Sequence, residues 1–330
     1  MKFLFFYSRR MNRYFVCLLC TLHVTRVVTY TVTYQIGKSI RCNKALQSST
    51  GGDIEFSAVE TFPCTVPVVP SCNSWPHQAA KFLKENGVCV LLTNENDNGN
   101  IIHTNVEKAA NSRLVELKRR IRNRGVDPEG QEDGPFRFTE VVCRDEGGQR
   151  YDMPVSWKNK YNLGTPLTNI ESQAVSKFHH QIETSVQPVL DVLWNDKNNN
   201  NRKTDSFQAV SSGFLINQPG SLHQGWHRDG PKEGMINVFC PLIDLQAELG
   251  PTEVWPSTHT KVSKQEESGK VAPLLKRGQL LLMDYRTLHR GLGNDSKDIT
   301  RTVAYVVFEK DNDSGGDKHN FPDALTLEYD

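Results

Sequence analysis

The sequence predicts a mainly β fold with a helical layer, and three observations lead there. Two long stretches with helical spacing, 104–124 and 170–194, come early in the chain. Four short strand-like runs follow (FQAVSSGFLIN, MINVFCPLIDL, GQLLLMDY and RTVAYVVFE), separated by Gly, Pro and Asn turns. Helices first and strands afterwards favour an antiparallel β sandwich or barrel backed by helices.

The chain opens on MKFLFFYSRRMNRYFVCLLCTLHVTRVV, where Arg9, Arg10 and Arg13 precede an apolar run over 14–24. That is the shape of a signal peptide or the start of an organelle transit sequence. The run is short for a membrane-spanning helix, which needs about 20 residues, so no stable span is expected in the mature chain. Cys17 and Cys20 lie inside it and lack the second pair that a zinc site needs. Residues 1–52 are therefore expected to be a targeting segment and linker, directing the protein to the secretory pathway or an organelle. Residues 53–73 extend the linker, because 25–73 is rich in Thr, Val, Ser and Pro. The remaining cysteines, Cys42, Cys64, Cys72, Cys89, Cys143 and Cys240, show no ligand spacing and leave bridge or thiol open.

The formal net charge of +1 hides an asymmetry. Residues 1–52 hold eight Lys or Arg and no acidic residue, which leaves 31 basic against 38 acidic residues in 53–330. That acidic body is not the footprint of a nucleic-acid binder.

A single domain is expected over 74–330. SWPHQAAKFLKENG supplies a serine cap, a proline in the first turn and a glycine stop, with Ala79, Phe82 and Leu83 on one face. GVCVLLT then reads as a buried strand and NENDNGN as a turn cluster. In the second helix Val106, Ala110, Leu114, Leu117 and Ile121 form the apolar stripe. Its basic end, KRRIRNR, reads as a solvated last turn favoured by the helix dipole. The third helix buries Ala174, Phe178, Ile182 and Val189, and Pro188 should kink or split it. Adjacent helical side chains diverge, so His179 and His180 read as surface. Residues 195–205 are a polar loop.

The chemistry gathers in the last third. His227 and Asp229 are two apart, and residues i and i+2 of a strand share a face. His289, just after another strand, is the best third ligand. Two histidines and a carboxylate on one face of an octahedron leave three positions open, the arrangement of non-haem Fe(II) oxygenases. Zinc tolerates the same donors, but the HExxH helix of zinc proteases is missing. Arg301 begins a strand and can clamp a distal carboxylate with two parallel charge-assisted hydrogen bonds. Arg290 is its rival, although the neighbour of a ligand on a strand should point away. His223 reads as a pocket or surface residue, and His259 as stabilising a turn. Thr252 and Gln224 are weaker candidates for lining a co-substrate pocket, and Trp226 equally fits core packing. RYDMPVSW offers a substrate-facing Arg or Tyr, or a polar turn before a strand.

QPGSLHQGWHRDG, GPTEVWPSTH and LHRGLGNDSKDITR together resemble the phytanoyl-CoA dioxygenase family of Fe(II)/2-oxoglutarate oxygenases. The resemblance covers about residues 75–310 and is specific in the last third. It places the family's iron ligands on His227, Asp229 and His289, and its 2-oxoglutarate arginine on Arg301. Gly291 and Asn294 match the glycine and asparagine that follow the distal histidine.

It also implies a double-stranded β-helix, the jelly-roll or cupin-like core, and a set of co-reactants: Fe(II), 2-oxoglutarate and O2, with ascorbate in support. The reaction it implies is oxidation of an unactivated C–H bond of a small organic substrate, releasing succinate and CO2. Hydroxylation, desaturation and ring closure all fit. Halogenation is disfavoured, because halogenating relatives replace the carboxylate that is Asp229 here. Two other readings stay open: a jelly-roll binding protein without turnover, and a cupin-type metal hydrolase or isomerase. Neither the substrate nor the oligomeric state follows from the sequence.

Overall fold

The structure, a computed structural model, describes residues 30–33, 41–44, 68–69, 75–92, 97–129, 136–143, 149–155, 169–194, 207–260, 269–310 and 327. The basic leader, Cys17, Cys20, Cys64, Cys72, Ser74 and the loop 195–205 lie outside these residues. The chain divides into two units, Met1–Glu60 and Thr61–Asp330. In the first, β1 (Tyr30–Thr33) pairs antiparallel with β2 (Arg41–Lys44), inside the stretch expected to be linker.

The second unit begins with β3 (Val68–Val69), α1 (Trp75–Asn86), β4 (Val88–Leu91) and α2 (Asp97–Asn123). Then come β5 (Val142–Cys143), β6 (Arg150–Pro154), α3 (Asn169–Trp194) and β7 (Phe207–Asn217). β8 (Met235–Pro241), the short 3-10 helix Ala247–Leu249, β9 (Thr252–Trp255), β10 (Leu280–Asp284), β11 (Leu288–Gly291) and β12 (Arg301–Lys310) complete it. Eight strands form one sheet in the order β3-β4-β10-β8-β12-β7-β6-β5, antiparallel except for the β3–β4 pair. β11 and β9 make a second, two-stranded antiparallel sheet. The core is the expected jelly-roll type, mainly β with a helical layer, and its sheets do not close into a barrel among the described residues.

Period-two alternation sorts the side chains. On β12, Ala304, Val306 and Phe308 join one apolar cluster with Leu83 of α1, Leu117 of α2 and Phe178 of α3. Val303, Tyr305 and Val307 join a second cluster with Val254 of β9 and Val271. Helices cover one face of the large sheet, and the small sheet covers the other.

Several expectations need correction. Asp97–Asn100 belong to the first turn of α2, not to a turn cluster. α3 runs unbroken through Pro188. His179 is buried, 2% exposed, although His180 is exposed as expected. Lys118 is not solvated: it is 7% exposed, donates to Glu129 at 2.8 Å and Gln218 at 2.7 Å, and lies over the Tyr151 ring. RYDMP is a strand with every residue buried, not a polar turn. Its polar side chains find partners across the sheet, which local propensity cannot foresee. Val68–Val69 already pair with β4, so the linker reading stops short of them. Cys89, Cys143 and Cys240 are free buried thiols, and burial pushes the Cys89 thiol up.

Gly87 ends α1 in the left-handed region, φ +72°, with its N–H on the Leu83 carbonyl. A Cβ there would lie 2.5 Å from His259 Nδ1 and 2.6 Å from Thr287 Oγ1. The bare backbone thus lets the turn ahead of β11 close onto the end of α1. Asp284 N–H and the Thr287 hydroxyl both donate to the Gly87 carbonyl.

Candidate metal and co-substrate site

Two segments far apart in sequence meet at the mouth between the sheets. After β7 the chain runs from Gly220 to His227 alongside β11 and the turn that follows it. The backbone contacts are regular: Gly220 N–H to Asn294 O, Asn294 N–H to Ser221 O, and Gln224 N–H to Gly291 O. His227 and His289 then exchange both hydrogen bonds, each at 3.0 Å. Asn294, fully buried, locks the turn by donating from Nδ2 to the carbonyls of Asn217 and Ile299.

His227 and Asp229 therefore lie in no strand ladder. His227 makes an isolated bridge, and Asp229 N–H reaches the Tyr285 carbonyl at 3.2 Å. The extended backbone still alternates. Arg228, between them, points the other way and donates to the carbonyls of Arg286 and Thr258. Further tethers follow: Lys232 pairs with the fully buried Glu309, and Glu233 with Arg286 at 3.3 Å.

The ligand atoms of His227, Asp229 and His289 all lie within 4.8 Å of one another. Asp229 Oδ1 is 3.8 Å from His227 Nε2, and Oδ2 is 3.6 Å from His289 Nε2. Each imidazole is oriented by its other nitrogen. His227 Nδ1 donates to Gly225 O at 2.9 Å, and His289 Nδ1 to Thr287 O at 3.1 Å. A carbonyl can only accept, so the proton stays on Nδ1 and the Nε2 lone pair is left for a metal. Asn237 of β8 donates from Nδ2 to Asp229 Oδ2. The sequence reading missed Asn237, yet an amide inside the apolar run MINVFC was a visible signal.

The triad shares a cavity with Arg150, Asp152, Gln224, Thr252, Gly291, Arg301 and Tyr305, closed on its apolar side by Leu215, Phe239 and Val307. Arg301 is 1% exposed, and its Nε and Nη1 have no hydrogen-bond partner. Burial without a counter-charge, with Arg150 adding repulsion, lowers its pKa from 12.5 to about 9. It remains a cation at neutral pH. Arg290 points away, held by Glu253 at 2.7 Å and lying over Trp226.

Thr252 and Gln224 both line the cavity, and the Gln224 amide oxygen accepts the Gly291 N–H at 2.9 Å. His223 is exposed, with Nδ1 accepting from Gly293 N–H. His259 is buried and donates to Lys84 O; it borders a different cavity, about 460 Å³, against about 80 Å³ at the triad. Trp226 is not core. It meets Trp255 edge-on at 5.7 Å, with Lys270 over both rings. Asp152 and Tyr305, hydrogen-bonded at 3.0 Å in the same cavity, carry no motif that would have announced them.

Part of the sequence is similar to known proteins. Dioxygenase hkm4 of Aspergillus hancockii is 36% identical over 108 residues, 28% of this chain and 35% of hkm4. Dioxygenase easH of Epichloe festucae var. lolii is 30% identical over 107 residues, 28% of this chain and 58% of easH. The matched segment thus spans about a third of one relative and just over half of the other. Among solved structures, the non-heme alpha ketoglutarate dependent carbocyclase SnoK from nogalamycin biosynthesis superposes with a TM-score of 0.45 and 16% identity. That superposition covers 77% of this chain and 93% of SnoK. Residues 156–303, the span holding His227, Asp229, His289 and Arg301, match the model of the phytanoyl-CoA dioxygenase (PhyH) family.

Proposed function

We propose that this domain is an Fe(II)- and 2-oxoglutarate-dependent dioxygenase acting on an unactivated C–H bond of a small organic substrate. The observation that carries the reading is Arg301: a fully buried guanidinium with unpartnered Nε and Nη1, in the same cavity as a His-Asp-His triad. An unpaired buried charge is costly and persists where a ligand completes it. A carboxylate is the planar, two-oxygen partner that a guanidinium fits. A metal hydrolase or isomerase acting on a neutral substrate would have no use for a second, anion-shaped socket.

Fe(II) and 2-oxoglutarate, when bound, would supply oxidative decarboxylation to succinate and CO2 coupled to substrate oxidation by O2. The chain's own residues would do the rest. His227, Asp229 and His289 would hold the metal from one side, leaving its other positions for co-substrate and oxygen. The Gly225 and Thr287 carbonyls keep both imidazole protons on Nδ1. Asn237 holds one oxygen of Asp229, which fixes the direction in which the carboxylate presents the other. Arg301 would fix the far carboxylate and so the orientation of the keto-acid end. Phe239, whose ring centre lies 6.3 Å from that of His289, keeps water from that side.

The test uses the full chain with Fe(II), ascorbate and 2-oxoglutarate against a panel of small organic substrates, scored by succinate. Substrate-dependent succinate is expected. No succinate with any substrate, together with no 2-oxoglutarate binding under anaerobic Fe(II), would overturn the reading. Turnover supported by zinc without 2-oxoglutarate would assign a cupin-type hydrolase or isomerase instead.

A further inference from the structure

The three triad residues are not equally supported by the backbone. His289 sits in β11 and His227 in a bridge to it, whereas Asp229 lies in a bend outside every strand. Where its carboxylate stands depends on the loop that follows, 230–234, which leads into β8.

Two charged contacts fasten that loop, and they differ in kind. Glu233 meets Arg286 at 3.3 Å, but its side chain is 84% exposed. Arg286 is also gripped by both carboxylate oxygens of Asp284, each at 2.9 Å. An exposed pair of this sort is screened by water and positions little. Lys232 instead sends Nζ to Glu309, whose side chain is 0% exposed. A carboxylate taken wholly out of water demands its cation at one place, so this contact sets the reach of the loop.

Glu309 stands close to the other anchor of Asp229. On β12 it follows Val307 on the face turned to the small sheet, and it faces Met235 of β8 as Val307 faces Asn237. Asn237 donates to Asp229 Oδ2. The Asp229 carboxylate and the Lys232 ammonium thus land at successive positions of one sheet face, with Gly230 and Pro231 spanning the gap. Proline fixes one backbone angle of that short span. Met235 and Val307 belong to the apolar cluster of this face, and an apolar pair would fill the place of Lys232 and Glu309 at least as stably. What the two charges add is a defined direction.

We propose that Lys232 is a positioning residue of the metal site: anchored on Glu309, it fixes where the loop presents the Asp229 carboxylate. The inference rests on the metal site of the function proposed above, and not on the identity of the co-substrate.

The test titrates Co(II) into the full-length metal-free protein, beside thermal melts. Visible absorption follows the binding, and its intensity reports the coordination number. Lys232→Met is expected to weaken Co(II) about tenfold. It should also melt earlier, because the buried Glu309 loses its cation. Lys232→Met/Glu309→Leu removes both charges, so its stability should return while Co(II) stays about tenfold weaker. A merely structural role would restore the two together. In the Asp229→Ala background, Lys232→Met should weaken Co(II) by less than about twofold more, since the residue it positions is gone. Lys232→Arg should recover most of the affinity and the parent spectrum, and Glu233→Gln should match the parent in both. If a Lys232 variant fails to fold, Glu309→Gln, which keeps the shape and loses the ion pair, carries the same comparison. Parent affinity and spectrum in the double variant, or equal losses with and without Asp229, overturn the role of Lys232 alone. Parent protein that takes up neither Co(II) nor Fe(II) overturns the proposed function and this inference together.

Discussion

The large sheet presents two unlike faces from the same strands. Toward the helices β12 offers Thr302, Ala304, Val306 and Phe308, and β8 offers Ile236, Val238 and Cys240. Toward the small sheet the same strands offer Arg301, Tyr305 and Val307, and Asn237 and Phe239. All of these are buried, so exposure does not separate the faces; polarity does. One face is sealed by matched apolar volumes, while the other keeps Arg301, Asn237 and the Tyr305 hydroxyl in the cavity of the His-Asp-His cluster. A single-residue slip of β12 would exchange the two sets and bury Arg301 against α2 and α3.

The sharpest break falls on the site face. Asp229→Ala is expected to weaken Fe(II) binding by more than about a hundredfold, while metal-free stability falls by no more than about 1–3 kcal/mol, the cost of leaving the Asn237 amide unpaired, because Asp229 packs against no apolar cluster. Anaerobic Fe(II) titration beside thermal melts measures both. Full iron affinity in that variant would remove the triad. Phe308→Ala should do the reverse. Phe308 is fully buried and meets Phe207 edge-on at 6.0 Å, so its loss should cost about 3–5 kcal/mol in denaturant melts. The 2-oxoglutarate affinity should stay within about twofold at a temperature where the variant is folded. A large affinity change would show that the faces are not independent.

Arg301→Leu comes next. Losing a bidentate charge-assisted pair costs about 2–5 kcal/mol, or about thirty- to several-thousand-fold in 2-oxoglutarate affinity. Because the ligand-free protein carries Arg301 with unpartnered donors, the same variant should be no less stable than the parent. Arg290→Leu, whose partner is Glu253, should leave the affinity unchanged. The metal-to-ligand charge-transfer band under anaerobic Fe(II) reads both variants.

The smallest effect belongs to the helix face. His103 of α2 lies edge-on to Phe178, and burial, with Arg277 adding, lowers its pKa from 6.5 to about 4. The folded protein keeps it neutral, while the unfolded chain binds a proton below 6.5. Its contribution is therefore full above pH 6.5 and falls as pH drops from there toward 4. About 2 kcal/mol of acid sensitivity, after allowance for solvent screening, should disappear in His103→Leu. An unchanged acid limb in that variant would place the titration elsewhere.

Residue patterns made the apolar parts legible. FQAVSSGFLIN is β7 to the residue, and the stripe Val106, Ala110, Leu114, Leu117 and Ile121 is buried throughout. The convergence of His227, Asp229 and His289 was legible too, though for a reason that needed adjusting. The alternation that aims His227 and Asp229 inward survives in an extended segment with one bridge and no ladder. What stayed hidden depended on partners far along the chain. Arg150 and Asp152 make RYDMP look like a turn, and only Tyr305 and the carbonyls of Leu222 and Leu292 make it a strand interior. Lys118 and His179 were hidden the same way, since helical spacing says which side chains share a face but not what covers it.

The paired amides of His227 and His289 end a row of bonds, Gly220 to Asn294 and Gln224 to Gly291 among them, that holds two distant segments side by side. Bringing those ligands together has already cost the chain its loop-closure entropy before any ion arrives. A metal would then act as a latch on a door that is already shut, rather than as the spring that shuts it. Solvent deuterium should report this directly. The two amides should resist exchange in the metal-free protein and become slower still once the site is filled, because opening the bridge would then require releasing the ion.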